Sequence, residues 1–148
     1  MERVKINLPG TFTFSTIITI RITDLNYGAH VGNDTFLSLI HEARQQFLLS
    51  YGYKELSFEG VELILTDAVI EYKRELNYAD VIKISIAATG FDKYGFDLFY
   101  KIEVVTGTET ILAAKAKTGM LCYNYEKRKL VTMPSAAKEK LADNTRQK

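Results

Sequence analysis

Two periods of hydrophobic recurrence divide the chain. Over residues 11–23, Phe12, Phe14, Ile18, Ile20 and Ile22 fall on one parity, with Thr11, Thr13, Thr19 and Arg21 on the other. This is the period of a strand with one buried face. From residue 34 to about residue 51 the period lengthens. Phe36, Leu39, Ile40, Ala43 and Phe47 recur at helical spacing, and Leu37, Leu48 and Leu49 widen the apolar surface. The pattern predicts a helix covered on most sides. Asn33 or Asp34 is placed to cap it by accepting from the orphan N–H groups of its first turn. Gly52 lies just past its expected end. Four alternating runs follow: Ala68, Ile70 and Tyr72; Ile82, Ile84, Ile86 and Ala88; Phe96, Leu98, Tyr100, Ile102 and Val104; and Leu112, Ala114, Ala116, Met120 and Cys122. Short turns near residues 92–95 and 106–109 separate the last three, which reads as an antiparallel meander. Pro134 opens a short helical tail over residues 135–142. The order of strand, long helix and strands predicts an α+β architecture, one curved antiparallel sheet of about five strands around one long apolar helix. No repeat or linker splits the chain, so residues 1–148 read as a single domain.

Composition changes this picture little. The 148 residues are enough to bury a real core. A net charge of +1 demands no nucleic-acid partner, and no stacking motif is visible among the tyrosines and phenylalanines. No apolar stretch approaches the length of a membrane span, and no secretory signal is visible. The single cysteine, Cys122, rules out an intramolecular disulfide and suits a reducing compartment, so the expectation is a soluble cytoplasmic protein. Cys122 sits on the apolar parity of a strand and reads as core. His30 and His41 have no companions at ligand spacing, so no metal site is expected.

The chemistry concentrates between the first strand and the helix, in Asp24-Leu25-Asn26-Tyr27-Gly28-Ala29-His30-Val31-Gly32-Asn33-Asp34. A carboxylate, a carboxamide and an imidazole are crowded against a helix start, where N–H groups attract developing negative charge. Each residue also has a plainer reading. Asp24 caps a turn, Asn26 makes an Asx-turn, His30 bonds a backbone carbonyl, and Glu42 pairs with a basic neighbour such as Arg44. Lys73 and Arg74 suit phosphate, or form a solvated rim.

With these residues in place, the chain resembles the hotdog-fold thioesterases of the 4-hydroxybenzoyl-CoA thioesterase type. That family typically carries Asp-x-Asp-x-x-Gly-His-Val-Asn-Asn after its first strand, then an aromatic residue and a helical Glu-Ala-Arg. Asp24, His30-Val31, Asn33, Phe36 and Glu42-Ala43-Arg44 match these positions. The stretches from Ile70 to Leu76, Tyr78-Ala79-Asp80, and from Arg128 to Pro134 resemble its second strand, the following turn and its ending. Asn26 stands where many relatives place a catalytic Asp, and Ala29 and Gly32 replace the usual Gly and Asn. A carboxamide is neither general base nor nucleophile, which leaves the base open among Asp24, His30 and Glu42. The resemblance implies a hotdog fold, hydrolysis of an acyl-CoA thioester, and a homodimer or homotetramer. On physical grounds the oxyanion is then expected at the N–H groups of Gly32 and Asn33, with water oriented by Asn26 and coenzyme A phosphates near Lys73 and Arg74. No cofactor or metal is expected, because a thioester is already activated. The alternatives are a non-catalytic acyl-CoA-binding protein and a hydroxyacyl dehydratase or hydratase of the same fold.

Overall fold

The computed structural model describes residues 1–146. The chain forms β1 (Phe14–Thr19), a one-turn 3-10 helix (Ile22–Asp24), α1 (Thr35–Leu49), β2 (Glu62–Tyr72), β3 (Val81–Thr89), β4 (Gly95–Thr106), β5 (Glu109–Asn124), β6 (Lys129–Leu130) and α2 (Ser135–Ala142). All strand pairs are antiparallel, in the order β1-β3-β4-β5-β2, with β6 beside β5. The meander β3-β4-β5 is therefore the centre of the sheet. The two strands that flank α1 in sequence, β1 and β2, lie at its opposite edges.

Most apolar positions of α1 meet the inner parity of the sheet, but Leu37 and Leu49 stay exposed, so the helix is covered on one side and not on most sides. Phe36, Leu39, Ile40, Ala43, Phe47 and Leu48 are buried, as are Ile82, Ile84, Ile86, Leu98, Tyr100 and Ile102. Burial on this scale contributes roughly 1.5–3 kcal/mol per large side chain. Cys122 is in this core. Burial, and then the charge of Asp92, push its thiol up to about 11. Native protein should therefore resist iodoacetamide at neutral pH and react once unfolded, as a mass shift would record; rapid alkylation of the native state would refute this burial.

The elements depart from the sequence pattern where local hydrogen bonding overrides it. The first strand ends at Thr19, because the chain then turns into the 3-10 helix and leaves Ile22 exposed. The second strand begins earlier than its alternation shows, at Glu62, because a bulge between Leu65 and Asp67 breaks the parity. A second bulge, between Ile102/Ala114 and Glu103/Leu112, moves Leu112 off the parity of Ala114. The residue it releases, Ala113, offers its carbonyl to the N–H groups of both Lys73 (2.8 Å) and Arg74 (3.1 Å). That pair of bonds ends β2 and fixes the rim beside the helix start.

Candidate active site

The polar segment between β1 and α1 is anchored to the turn between β2 and β3. Ile20 donates to the Asp80 carbonyl (2.8 Å) and accepts from Ala79 (3.0 Å), and Val31 donates to the carbonyl of Leu76 (2.9 Å). Between these anchors the loop closes on itself. Leu25 bridges Val31; Asn26 N–H donates to the His30 carbonyl (2.9 Å), and Ala29 N–H to the Asn26 carbonyl (3.1 Å). Ala29 takes φ +64°, a left-handed conformation that costs an alanine about 1 kcal/mol. It occupies the position where the family pattern has Gly.

The side chains converge on two glycines. Asn26 Oδ1 accepts from Gly28 N–H at 2.8 Å, so the Asx-turn is present and Nδ2 is the free end of the carboxamide. A Cβ on Gly28 would come within 3.2 Å of both Asn26 Oδ1 and His30 Nε2, and one on Gly32 within 3.6 Å of Asn26 Nδ2. His30 Nδ1 lies 3.2 Å from the Val31 carbonyl oxygen. A carbonyl only accepts, so this contact needs a proton on Nδ1, and in the neutral ring Nε2 is then the acceptor. Glu75 Oε1 stands 3.7 Å from Nε2.

At the start of α1 the caps differ from those the sequence pattern predicts. Asp34 has helical backbone angles and no side-chain cap bond, and Asn33 Oδ1 accepts only from Asp34 N–H (3.0 Å). The Gly32 carbonyl does the accepting instead, from Thr35 (3.0 Å) and Phe36 (3.4 Å). Among the described residues, the N–H groups of Gly32 and Asn33 have no acceptor. Two free donors at the positive end of a helix are what a developing oxyanion requires.

A cavity of about 330 Å³ opens beside them, between α1 and the end of β2, and His30, Asn33, Phe36, Tyr72, Lys73 and Arg74 line it. Tyr72 donates from its hydroxyl to the Asn33 carbonyl (2.8 Å) and meets the Phe36 ring edge-on at 5.2 Å. Lys73 pairs with Glu71 (2.6 Å); among the described residues Arg74 makes no ion pair. The sequence reading did not single out Tyr72 or Glu75 as site residues. The available signal was a tyrosine on the inner parity of an edge strand, which keeps a polar tip at an apolar wall.

Asp24 and Glu42 lie elsewhere. Both line a separate cavity of about 390 Å³ on the other side of α1, with Arg21, Gln46 and β1. Asp24 accepts from Arg21 N–H (2.8 Å) and Nη2 (3.2 Å). Burial pushes its carboxyl upward, but the hydrogen bonds and charge of Arg21 outweigh it and hold the group below the usual carboxylate range. A depressed native value means stability that is present above the ordinary carboxylate range and lost as pH falls through the depressed one. Asp24→Asn should therefore melt below wild type at neutral pH, with the two converging in acid; a gap constant with pH would refute this. Glu42 accepts from Gln46 (2.8 Å) and is not paired with Arg44. Arg44 points instead into the fold, where its Nε donates to Glu55 (2.8 Å). Among the described residues, no group of three or more His, Cys, Asp or Glu could hold a metal ion, and no helix is long and apolar enough to cross a membrane.

This helix-wrapping sheet, with free N–H groups at the start of its helix, defines a class, and comparison with known proteins gives that class its family. Residues 20–141 match the thioesterase-like superfamily. The chain belongs to that superfamily. It is 32% identical over 115 residues to a 1,4-dihydroxy-2-naphthoyl-CoA hydrolase of Microcystis aeruginosa, covering 76% of this chain and 77% of the relative. The fold matches a 1,4-dihydroxy-2-naphthoyl-CoA thioesterase from Synechocystis (TM-score 0.78, 22% identity, 90% and 97% of the two chains). It also matches the 4-hydroxybenzoyl-CoA thioesterase of Pseudomonas sp. strain CBS-3 (TM-score 0.76, 12% identity, 86% and 98%).

Proposed function

We propose that the protein hydrolyses acyl-CoA thioesters at the start of α1. The observation that carries this is the pair of free N–H groups of Gly32 and Asn33 at the start of α1, on a loop whose Asn26 Nδ2 lies beside Gly32 and whose His30 Nε2 lies beside Gly28. The thioester carbonyl oxygen accepts from the two N–H groups. His30 Nε2 takes a proton from water as the water oxygen bonds to the carbonyl carbon. Collapse of the tetrahedral intermediate breaks the C–S bond, and the proton held on His30 leaves with the thiolate as CoA thiol. Asn26 donates from Nδ2 to the reacting oxygens, its Oδ1 being held by Gly28. Arg74 and Lys73 attract the phosphates of coenzyme A at the cavity rim, and the acyl group lies along the seam between α1 and β2. Asp24 and Glu42 take no part in these steps, and the steps need no cofactor or metal.

The free edge of β2 supports a paired assembly. Among the described residues only β5 pairs with this eleven-residue strand, and Leu37, Leu65 and Tyr72 stand exposed beside it. A second copy pairing along that edge satisfies its backbone and covers those side chains, giving a homodimer or a homotetramer built from it. A reduced, buried Cys122 agrees with a cytoplasmic protein.

Incubation with a panel of acyl-CoAs and a thiol reagent tests the activity, with release of free CoA the expected result. His30 beside Glu75 is also the pair that a hydratase needs. Interconversion of enoyl- and hydroxyacyl-CoA without free CoA would establish that reading instead, and binding with neither reaction would leave a non-catalytic acyl-CoA-binding protein. Asn26→Ala should lower kcat about a hundredfold with little change in KM, because a donor to the oxyanion acts mainly in the transition state. Asn26→Asp keeps the Asx-turn and exchanges the donor for the carboxylate of the family pattern, a potential base, and should retain more of the activity than Asn26→Ala. A loss confined to melting temperature in both variants would reduce Asn26 to a turn residue.

A further inference from the structure

A second cavity of about 310 Å³ lies farther along α1 and β2. Leu37 and Leu65 give it apolar walls with Ala68, and His41, Arg44 and Thr118 give it a polar end. The two cavities neighbour each other along both elements. Leu37 follows Phe36 on the helix, and Ala68 precedes Tyr72 on the strand that runs beside it. From Asn33 to the middle of the second cavity is some seven helical residues, or about 10 Å.

Arg44 is the unusual member. Its side chain is 8% exposed, yet the guanidinium is only partly used. Nε donates to Glu55 (2.8 Å) and Nη1 makes a long bond to the Tyr100 hydroxyl (3.4 Å). Among the described residues Nη2 donates to nothing, and it is not among the side-chain atoms sealed from solvent without a partner. A planar guanidinium has five N–H donors in a fixed fork. Once Glu55 has oriented that fork, spare donors remain at the wall of the cavity. The Tyr100 hydroxyl is already engaged with Thr118 (2.7 Å), so the protein offers them no further acceptor there.

The charge balance decides which acceptor fits. Glu55 already neutralises Arg44 and also stands 3.6 Å from His41 Nε2. A second carboxylate beside Arg44 would face the charge of Glu55 with no cation left to balance it, whereas a neutral oxygen takes the spare N–H bonds without that repulsion. We infer that this second cavity selects acyl groups ending in a neutral oxygen, a hydroxyl or carbonyl, about 10 Å from the thioester carbonyl, with Arg44 as its reader. The inference rests on the thioesterase reading for the position of the acyl group, and deepens it by naming the substrate class.

The test uses three non-hydrolysable ketone analogues of an octanoyl-length acyl-CoA, ending in methyl, hydroxyl or carboxylate. Calorimetry on the intact protein should show the hydroxyl analogue binding about tenfold more tightly than either of the others, the scale of one hydrogen bond to a charged group. Arg44→Lys keeps the charge and the Glu55 pairing but loses the fork, and should bring the hydroxyl-to-methyl ratio close to one. Glu55→Gln removes the neutralising charge and should make the carboxylate analogue the tightest of the three. Both readouts are ratios, so a partly destabilised variant still reports. Equal binding of the three analogues to wild type, or ratios unmoved in both variants, would overturn the inference. Absence of turnover with the matching thioesters, with the binding ratios as expected, would instead overturn the thioesterase reading alone.

Discussion

His30→Gln should lower kcat for thioester hydrolysis about a thousandfold, within the range a positioned general base contributes. The Val31 carbonyl fixes the proton on Nδ1 and leaves Nε2 as the acceptor. The space that Gly28 keeps open brings that nitrogen beside Asn26. Glu75, 3.7 Å away, faces the cation that proton uptake creates. Glutamine is similar in length but has no basic nitrogen, so it separates proton transfer from packing. KM should change little, because the base acts on water and not on bound substrate. Asp24→Asn and Glu42→Gln are the controls, since both carboxylates lie in the cavity on the far side of α1. A greater loss of turnover in either control than in His30→Gln would move the base to that carboxylate.

Gly95→Ala should cost about 4 kcal/mol, at the upper end of overpacking effects. Gly95 opens β4 and lies opposite Leu121. A Cβ there would lie well inside van der Waals contact with the Met120 carbonyl oxygen, and 3.0–3.1 Å from the Met120 carbonyl carbon and Leu121 Cα. All three are backbone atoms in the middle of the sheet, so no side-chain rotation relieves the clash. Urea denaturation should show the midpoint falling with an unchanged slope. A loss below 1 kcal/mol would mean that the strands yield more than a close-packed sheet allows.

Most of the core was legible in the sequence, because β3 and β4 keep one parity along their inner faces and α1 keeps one period. What escaped was decided by contacts remote in sequence. Nothing near Leu112 announces that Ala113 will bulge to serve the N–H groups of Lys73 and Arg74. The end of β1 depends on Ala79 and Asp80. In the site, Asn26, Gly28, His30 and Gly32 could be read together because they share one short loop. The partition of the carboxylates could not. Asp24 is one turn from Arg21 and faces it, and Glu42 is two residues from Arg44 and faces the other way. A helix separates such neighbours by about 200°, so adjacency in the motif conceals opposite destinations. Glu55, the partner Arg44 does have, lies eleven residues on, in a loop with no periodicity to mark it.

The strand order carries a kinetic consequence. β3, β4 and β5 are joined by short hairpins, whereas β1, ending at Thr19, finds β3, beginning at Val81, only after the long helix and β2 have intervened, and β2 reaches β5 across two other strands. Local pairings incur the smaller loop-closure cost, so we expect the meander to nucleate folding and the two edge strands to dock late, bringing the loop between β1 and α1 with them. Substitutions in that loop would then leave the folding rate almost untouched and appear in the unfolding rate, with φ-values near zero. The candidate catalytic segment would be free to vary in sequence without slowing the search for the fold, at the sole expense of how long each folded molecule lasts.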